Sequence, residues 1–340
     1  MPIFLNIFIK TLAYFISIIF VFLLLVLLIN FVNDRNKNEF TFLYGDKDST
    51  NIISIIELNG LIIEKNRDFS EFTNAFIISP NDIKNHLEDL KNISPNIIIF
   101  SINSPGGTVS ASKNLYDIIK NFKKNNDVEI LFHTNELLAS GGYWVSSAAD
   151  KIFANYGSII GSIGVKGPDW FFYDQPKSIS TGIFGNRIET KESIKIYSSK
   201  AGKSKDIFNP FRKPTNQELN HLQKMVDGIY DDFIRTISKE RKIEANTLNK
   251  EIGALIYTSD KAVYLNLIDG ELSLDNLINK VIKEKDFKNN KVIKKFIKKN
   301  SLFREILTSI YYKSNLDIKY ECLQLRSSIS AILSYKSTGC

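Results

Sequence analysis

The sequence predicts an α/β domain held behind a single N-terminal membrane-spanning helix, and three observations predict it. Residues 11–33 form an apolar run without a charge. From residue 51 onward, isoleucine-rich runs of strand length alternate with segments of helical periodicity. Two glycine pairs stand at the ends of strand-like runs, where a layered sheet places its loops.

The apolar run is long enough to cross a hydrocarbon layer of about 30 Å as a helix. No small-x-small cleavage site follows it before Asp34 and Arg35, so the expectation is an uncleaved anchor rather than a signal peptide. Lys10 precedes the run and Arg35 and Lys37 follow it, which leaves the positive-inside comparison level. The expected organisation is a tail and anchor over 1–33, a polar linker over 34–50, a catalytic domain over 51–285 and a basic extension over 286–340.

Within the domain, residues 51–58 and 96–103 read as buried strands. Between them Ser79-Pro80-Asn81 signals a helix start, and Ile83, Leu87 and Leu90 recur at helical spacing. Residues 109–124 read as a helix, 128–134 as a strand and 140–149 as a short helix. Strands are expected over 151–154 and 159–165, and predominantly helix over 214–241. In the extension, Val292, Ile293, Phe296, Ile297 and Phe303 share one helical face and lysines 294, 295, 298 and 299 the other. That pattern suits a helix on an anionic membrane surface or one packed on the domain.

Composition narrows the classes of function. Hydrophobic residues at 44% and charged residues at 24% are those of a globular protein. The net charge of +7 is concentrated in the lysines of 280–299, a local feature rather than a nucleic-acid footprint. Cys322 and Cys340 lie far from any cluster of ligating residues, so neither a disulfide scaffold nor a structural zinc site is expected.

The chemistry gathers at the glycine pairs. Ser104-Pro105-Gly106-Gly107 follows one strand-like run and Ser140-Gly141-Gly142 opens the short helix. Such turns can aim N–H groups at a developing oxyanion. Ser140 at a helix N-terminus is placed either as a nucleophile or as an ordinary cap. His86, His133 and His221 carry no partner motif; a lysine can serve as base where burial lowers its pKa, and Lys200, Lys203 and Lys205 are the candidates, with a solvated surface charge as the ordinary alternative.

INSPGG (102–107), ELLASGGYWVSSAADKIFAN (136–155), GSIGV (161–165), GKSKD (202–206) and YTSDKAVYLNLID (257–269) together resemble the signal peptide peptidase A serine peptidases, relatives of the Clp protease and crotonase fold. The resemblance implies a Clp protease/crotonase-like layered fold, with Ser140 as nucleophile, Lys205 as general base and Ser162 orienting that lysine. Gly106 and Gly107 would supply the oxyanion hole, and no metal or organic cofactor would be needed. It implies a homo-oligomer such as an octamer, with serine and lysine drawn from neighbouring subunits. Peptide substrates would be remnant signal peptides or membrane-protein fragments at the lipid bilayer, reached by a domain outside the plasma membrane, and nucleic acid would not be a partner. Ser101 stands where many relatives have arginine, and residues 166–204 form a longer connection than usual. Crotonase-like acyl-CoA chemistry and a catalytically silent scaffold for membrane-protein quality control are the alternatives.

Overall fold

The structure is a computed structural model and describes residues 2–35, 40–64, 76–174, 178–181, 186–189, 194 and 199–295. Helix α1 (Pro2–Arg35) carries a span, Ile3–Phe22, of mean hydropathy 2.1 with none of it buried against the rest of the protein. It is long and apolar enough to cross a membrane.

The domain that follows is a layered α/β fold, as the sequence leads one to expect. Its strands are β1 (Phe40–Gly45), β2 (Ile52–Asn59), β3 (Leu61–Ile62), β4 (Ile77–Ile78), β5 (Ile97–Asn103), β6 (Glu129–Thr134), β7 (Leu137–Ala139), β8 (Lys151–Ala154) and β9 (Ile159–Gly161). They continue with β10 (Ser178–Thr181), β11 (Asn186–Glu189), β12 (Ile256–Thr258), β13 (Gly270–Glu271) and β14 (Lys291–Lys295). The helices of six residues or more are α2 (Pro80–Lys91), α3 (Val109–Asn125), α4 (Gly141–Ser146), α5 (Asn216–Arg241), α6 (Ser259–Tyr264) and α7 (Leu274–Glu284).

The main sheet runs β1-β14-β2-β5-β6-β8-β13, parallel except for the antiparallel edge pair β1/β14. Burial on both faces explains why its central strands read as near-continuous isoleucine. In β5, Ile98, Phe100 and Ile102 join the core shared with α2, α3, α4 and α5. Ile97 and Ile99 point the other way, towards Leu277, Ile278 and Val281 of α7. A smaller sheet, β12-β9-β7, stands beside it. Cap chemistry fixes the helix starts: Ser79, Thr108 and Thr215 each accept a backbone N–H from their own first turn.

Three expectations give way. Residues 34–50 are not a linker throughout, because β1 lies within them and pairs with β14, and Phe40 packs on the larger core. Residues 291–295 are a strand and not part of an amphipathic helix. Flanked by β1 and β2, the β-branched Val292 and Ile293 are buried, while Lys294 and Lys295 pair with Glu57 and Asp89 instead of facing a membrane. The sheet thus crosses both expected borders of the domain; residues 296–303 of the expected helix, Cys322 and Cys340 lie outside the described residues. Finally, β9 ends at Gly161 instead of 165, because Gly161 and Ser162 take φ of 121° and 53° and Ser162 N–H turns to donate to Leu255 O.

Candidate active site

The C-terminal ends of β5 and β6 and the small sheet converge on Ser140. Ser104, just after β5, donates its N–H to Leu137 O and accepts Ala139 N–H, so the start of the glycine turn is sewn to β7. Ser104 Oγ donates to Gly60 O at 2.7 Å and accepts Gly106 N–H at 3.1 Å. Asn103 Oδ1 accepts from Thr134 Oγ1 and from the N–H groups of Asn135 and Glu136, which fixes the connection into β7.

Strand β7 then delivers Ser140. Its N–H donates to Gly161 O at 2.9 Å, and its carbonyl accepts Trp144 N–H at 3.0 Å as the first bond of α4. The backbone at Ser140 sits at φ 52°, ψ −124°, a conformation that a non-glycine residue adopts only when its surroundings impose it. Ser140 occupies the N-cap position, yet its side chain makes no capping hydrogen bond. The caps at Ser79, Thr108 and Thr215 do the opposite, so a cap role does not account for this serine.

The glycine turn lies against the serine. A Cβ on Gly106, where φ is 103°, would stand 2.8 Å from Gly141 N and 3.1 Å from Ser140 Oγ, so only glycine allows this approach. A Cβ on Gly141 would fall 2.2 Å from Ser112 Oγ and 3.3 Å from Gly107 N. The N–H groups of Gly107 and Gly141 therefore lie close together beside Ser140, and neither is engaged in a hydrogen bond among the described residues. Ser162 adjoins them, since it follows the Gly161 carbonyl that holds Ser140.

The three candidate lysines lie elsewhere. They belong to a run of turns preceding α5, in which Tyr173 N–H donates to Pro210 O and Trp170 Nε1 donates to Asn209 O. Lys200 Nζ is bound to Asp206 at 2.6 Å and Lys203 Nζ to Gln217 Oε1 at 2.6 Å. Lys205 is exposed, and among the described residues its ammonium has neither an ion pair nor a hydrogen bond. No hydrogen bond joins it to Ser140 or Ser162 within the protomer. Arg212 ties these turns to Glu218 at the start of α5, whereas Phe233, stacked on Trp144 of α4 at 4.4 Å, lies about 22 Å further along the helix at 1.5 Å per residue.

The histidines stand apart from this chemistry. His133 is fully buried in β6, with Nε2 2.9 Å from Leu272 O, and alternation along the strand puts it on the α7 face, away from α4. Burial lowers its pKa, partly offset by the bond to Leu272. His221 is exposed on α5. Sequence reasoning missed the Gly141 N–H as a partner of the Gly107 N–H; the signal available was its position immediately after the serine, at the first residue of a helix. It also missed Arg212 and Glu218, taken up below.

The fold is thus a layered α/β core that presents a strained, non-capping serine beside free backbone N–H groups. Residues 123–288 match peptidase family S49. The match takes in Ser140, Ser162 and Lys205, while the Gly106–Gly107 turn precedes it in sequence and is joined to it by packing. The chain is 31% identical over 217 residues to a Methanocaldococcus jannaschii protein provisionally named as a protease, covering 64% of this chain and 65% of that one. It is 27% identical over 242 residues to an Enterococcus faecium protein provisionally named as signal peptide peptidase SppA, covering 70% and 65%. Protease 4 of Haemophilus influenzae is 27% identical over 230 residues, covering 68% of this chain and 34% of its own length. The chain thus spans just under two thirds of the first two relatives and about one third of Protease 4.

Proposed function

We propose that this protein is a membrane-anchored serine endopeptidase in which Ser140 is the nucleophile and Lys205, from a neighbouring subunit, is the general base. The observation that carries the reading is Ser140 itself: an N-cap serine held in a strained conformation whose hydroxyl caps nothing and faces a glycine turn. Its family relatives bear protease names.

On this reading Ser140 Oγ attacks the scissile carbonyl carbon and its proton passes to Lys205 Nζ. The oxyanion accepts the N–H groups of Gly107 and Gly141, with Gly106 giving the turn its approach. The C–N bond then breaks and the amine leaves with the proton from Lys205. Lys205 next takes a proton from water, whose oxygen attacks the acyl-enzyme; the ester C–Oγ bond then breaks and Ser140 Oγ takes that proton back from Lys205. Ser162 orients the lysine. The neutral amine this requires is favoured when burial removes the ammonium from water, and an exposed Lys205 gains that burial by docking on a second copy. The length of α5 between the Arg212 contact and the Trp144 contact supports the shared site.

The substrates are apolar, extended peptides such as remnant signal peptides, and α1 holds the domain at the membrane beside them, outside the plasma membrane. The test is cleavage of a fluorogenic apolar peptide by detergent-solubilised protein, with Ser140→Ala and Lys205→Ala alongside. Both variants should lose activity, and mixing the two should restore part of it. Unchanged activity in both sinks the dyad. Loss in both without restoration on mixing removes the shared site and keeps the dyad within one chain.

A further inference from the structure

The motif GKSKD contains Asp206, immediately after Lys205, for which the proposed chemistry has no use. The structure engages it fully. Arg212 Nε and Nη2 donate to the two carboxylate oxygens of Asp206 at 2.9 and 3.0 Å, and Lys200 Nζ lies 2.6 Å away. The same guanidinium grips Glu218 a second time, with Nη1 to Oε2 at 2.9 Å and Nη2 to Oε1 at 2.7 Å. Arg212 also lies over the ring of Trp170, 5.1 Å from its centroid. A planar fork that serves two carboxylates at once is a geometry lysine cannot reproduce.

Glu218 is the fixed end of this chain of contacts. It is buried in the first turn of α5, accepts Thr215 N–H at 2.9 Å, and completes a capping box with Thr215. Asp206, next to Lys205, is therefore tied to the start of α5 through Arg212. The backbone here has little to hold it: Lys205 N–H reaches Gly202 O only at 3.4 Å, and Ser204 and Phe208 sit at φ of 58° and 66°. Non-glycine residues keep such angles only where their surroundings over-determine them. Both carboxyls are held well below the usual carboxylate range, Asp206 first by Arg212 and then by Lys200, Glu218 first by Arg212 and then by Thr215 N–H.

We propose that Arg212, clamped between Asp206 and Glu218, is a positioning residue that presents Lys205 in a fixed conformation to the serine it serves. Arg212 touches no reacting atom and acts through Lys205 alone, so the inference rests on Lys205 being the base. It assigns Asp206 of the motif to the clamp.

The test is steady-state cleavage of the apolar peptide by the full-length protein, carried as Arg212→Ala, Arg212→Lys, Glu218→Gln, Lys205→Ala and the Lys205→Ala/Arg212→Ala double variant. A second readout is the rate at which a fluorophosphonate labels Ser140, and thermal unfolding is followed throughout. Arg212→Ala and Arg212→Lys should each lower kcat by about 30-fold or more with KM within twofold, because the lysine is misplaced while the peptide groove is intact. Glu218→Gln, which keeps shape and loses charge, should fall between these and wild type. The double variant should label Ser140 no more slowly than Lys205→Ala alone, since a residue acting only through Lys205 adds nothing once it is gone. Arg212→Lys and Glu218→Gln keep the test open if Arg212→Ala fails to fold. Wild-type kcat in the Arg212 variants with Lys205→Ala inactive would overturn the clamp and leave the dyad standing. A further loss in the double variant would make Arg212 merely structural. Full activity in Lys205→Ala would overturn the base assignment, and the clamp with it.

Discussion

Replacing Gly141 by alanine attacks the arrangement around Ser140 at a point the structure makes quantitative. The new Cβ would lie 2.2 Å from Ser112 Oγ and 3.0 Å from Ser112 Cβ, on the facing helix α3. Ordinary contact needs about 3.4 Å or more, so Ser112 Oγ must turn away and, for Ser112 Cβ, α3 and the N-terminus of α4 must separate by about 0.4 Å. Ser140 and the Gly141 N–H ride on that N-terminus. A displacement of this size at the reacting groups costs about 10-fold in rate, and the overpacking costs about 1–3 kcal/mol of stability. In a domain of this size that is a fall in Tm of roughly 2–12 °C. The assay is kcat and KM on the fluorogenic peptide, with Tm by differential scanning fluorimetry. Ser112 supplies the control. Its hydroxyl is buried and has no hydrogen-bond partner among the described residues, so Ser112→Ala alone should leave stability unchanged or raised. Ser112→Gly removes both clashing atoms at about 1 kcal/mol of helix propensity, and combined with Gly141→Ala it should recover most of the lost kcat. Wild-type kcat in Gly141→Ala, or a double variant no better than the single one, would refute the reasoning.

Trp144→Ala should cost about 3–5 kcal/mol by removing the ring stacked on Phe233, the link between α4 and α5, and chemical denaturation reads this directly. Thermal stability should decline as pH falls below about 6.5, the ordinary histidine value, because burial depresses the folded pKa of His133 while the unfolded chain takes up the proton. The stability is present above the unfolded value and is lost towards the lower folded one, and His133→Leu should flatten this part of the Tm profile. Asp206 and Glu218 act in the same sense at lower pH. Their folded pKa values are depressed, so stability present above the usual carboxylate range of about 4 should be lost as acid titrates them, and Arg212→Ala should weaken that acid-side dependence.

The core was legible because its residues state their surroundings locally. The run of 97–103 is isoleucine-rich on both faces since helices cover both, and Ser79-Pro80 names the start of α2 by cap chemistry that needs no distant partner. The edge was not legible. Strand β14 reads as a lysine-rich helix face because what makes it a strand is β2 on one side and β1 on the other, and what neutralises Lys294 and Lys295 is Glu57 and Asp89, all more than 200 residues away in sequence. Ser140 could be placed at a helix start, but whether its hydroxyl caps that helix depends on a backbone angle that glycine turns and neighbouring carbonyls impose from outside.

The two halves of the proposed dyad differ in how the fold secures them, and the difference follows from where each works. Ser140 is fixed by buried backbone: β7 is sewn to Ser104, its own N–H to Gly161, and α4 to the core through Tyr143 and Trp144. Lys205 stands on exposed turns with almost no regular hydrogen bonding, steadied by charged side chains at the solvent edge of α5. A base working inside its own protomer would be expected on the same buried scaffold as its serine. A base that is offered across a subunit boundary has to be exposed before assembly and rigid at the moment of docking. A charge-clamped turn meets both conditions, because the fork between Asp206 and Glu218 orders the backbone around Lys205 without burying the amine. If the site is shared as proposed, activity depends on association: dilution below the assembly threshold should abolish cleavage while leaving the fold of each protomer, and the position of Ser140 within it, unchanged.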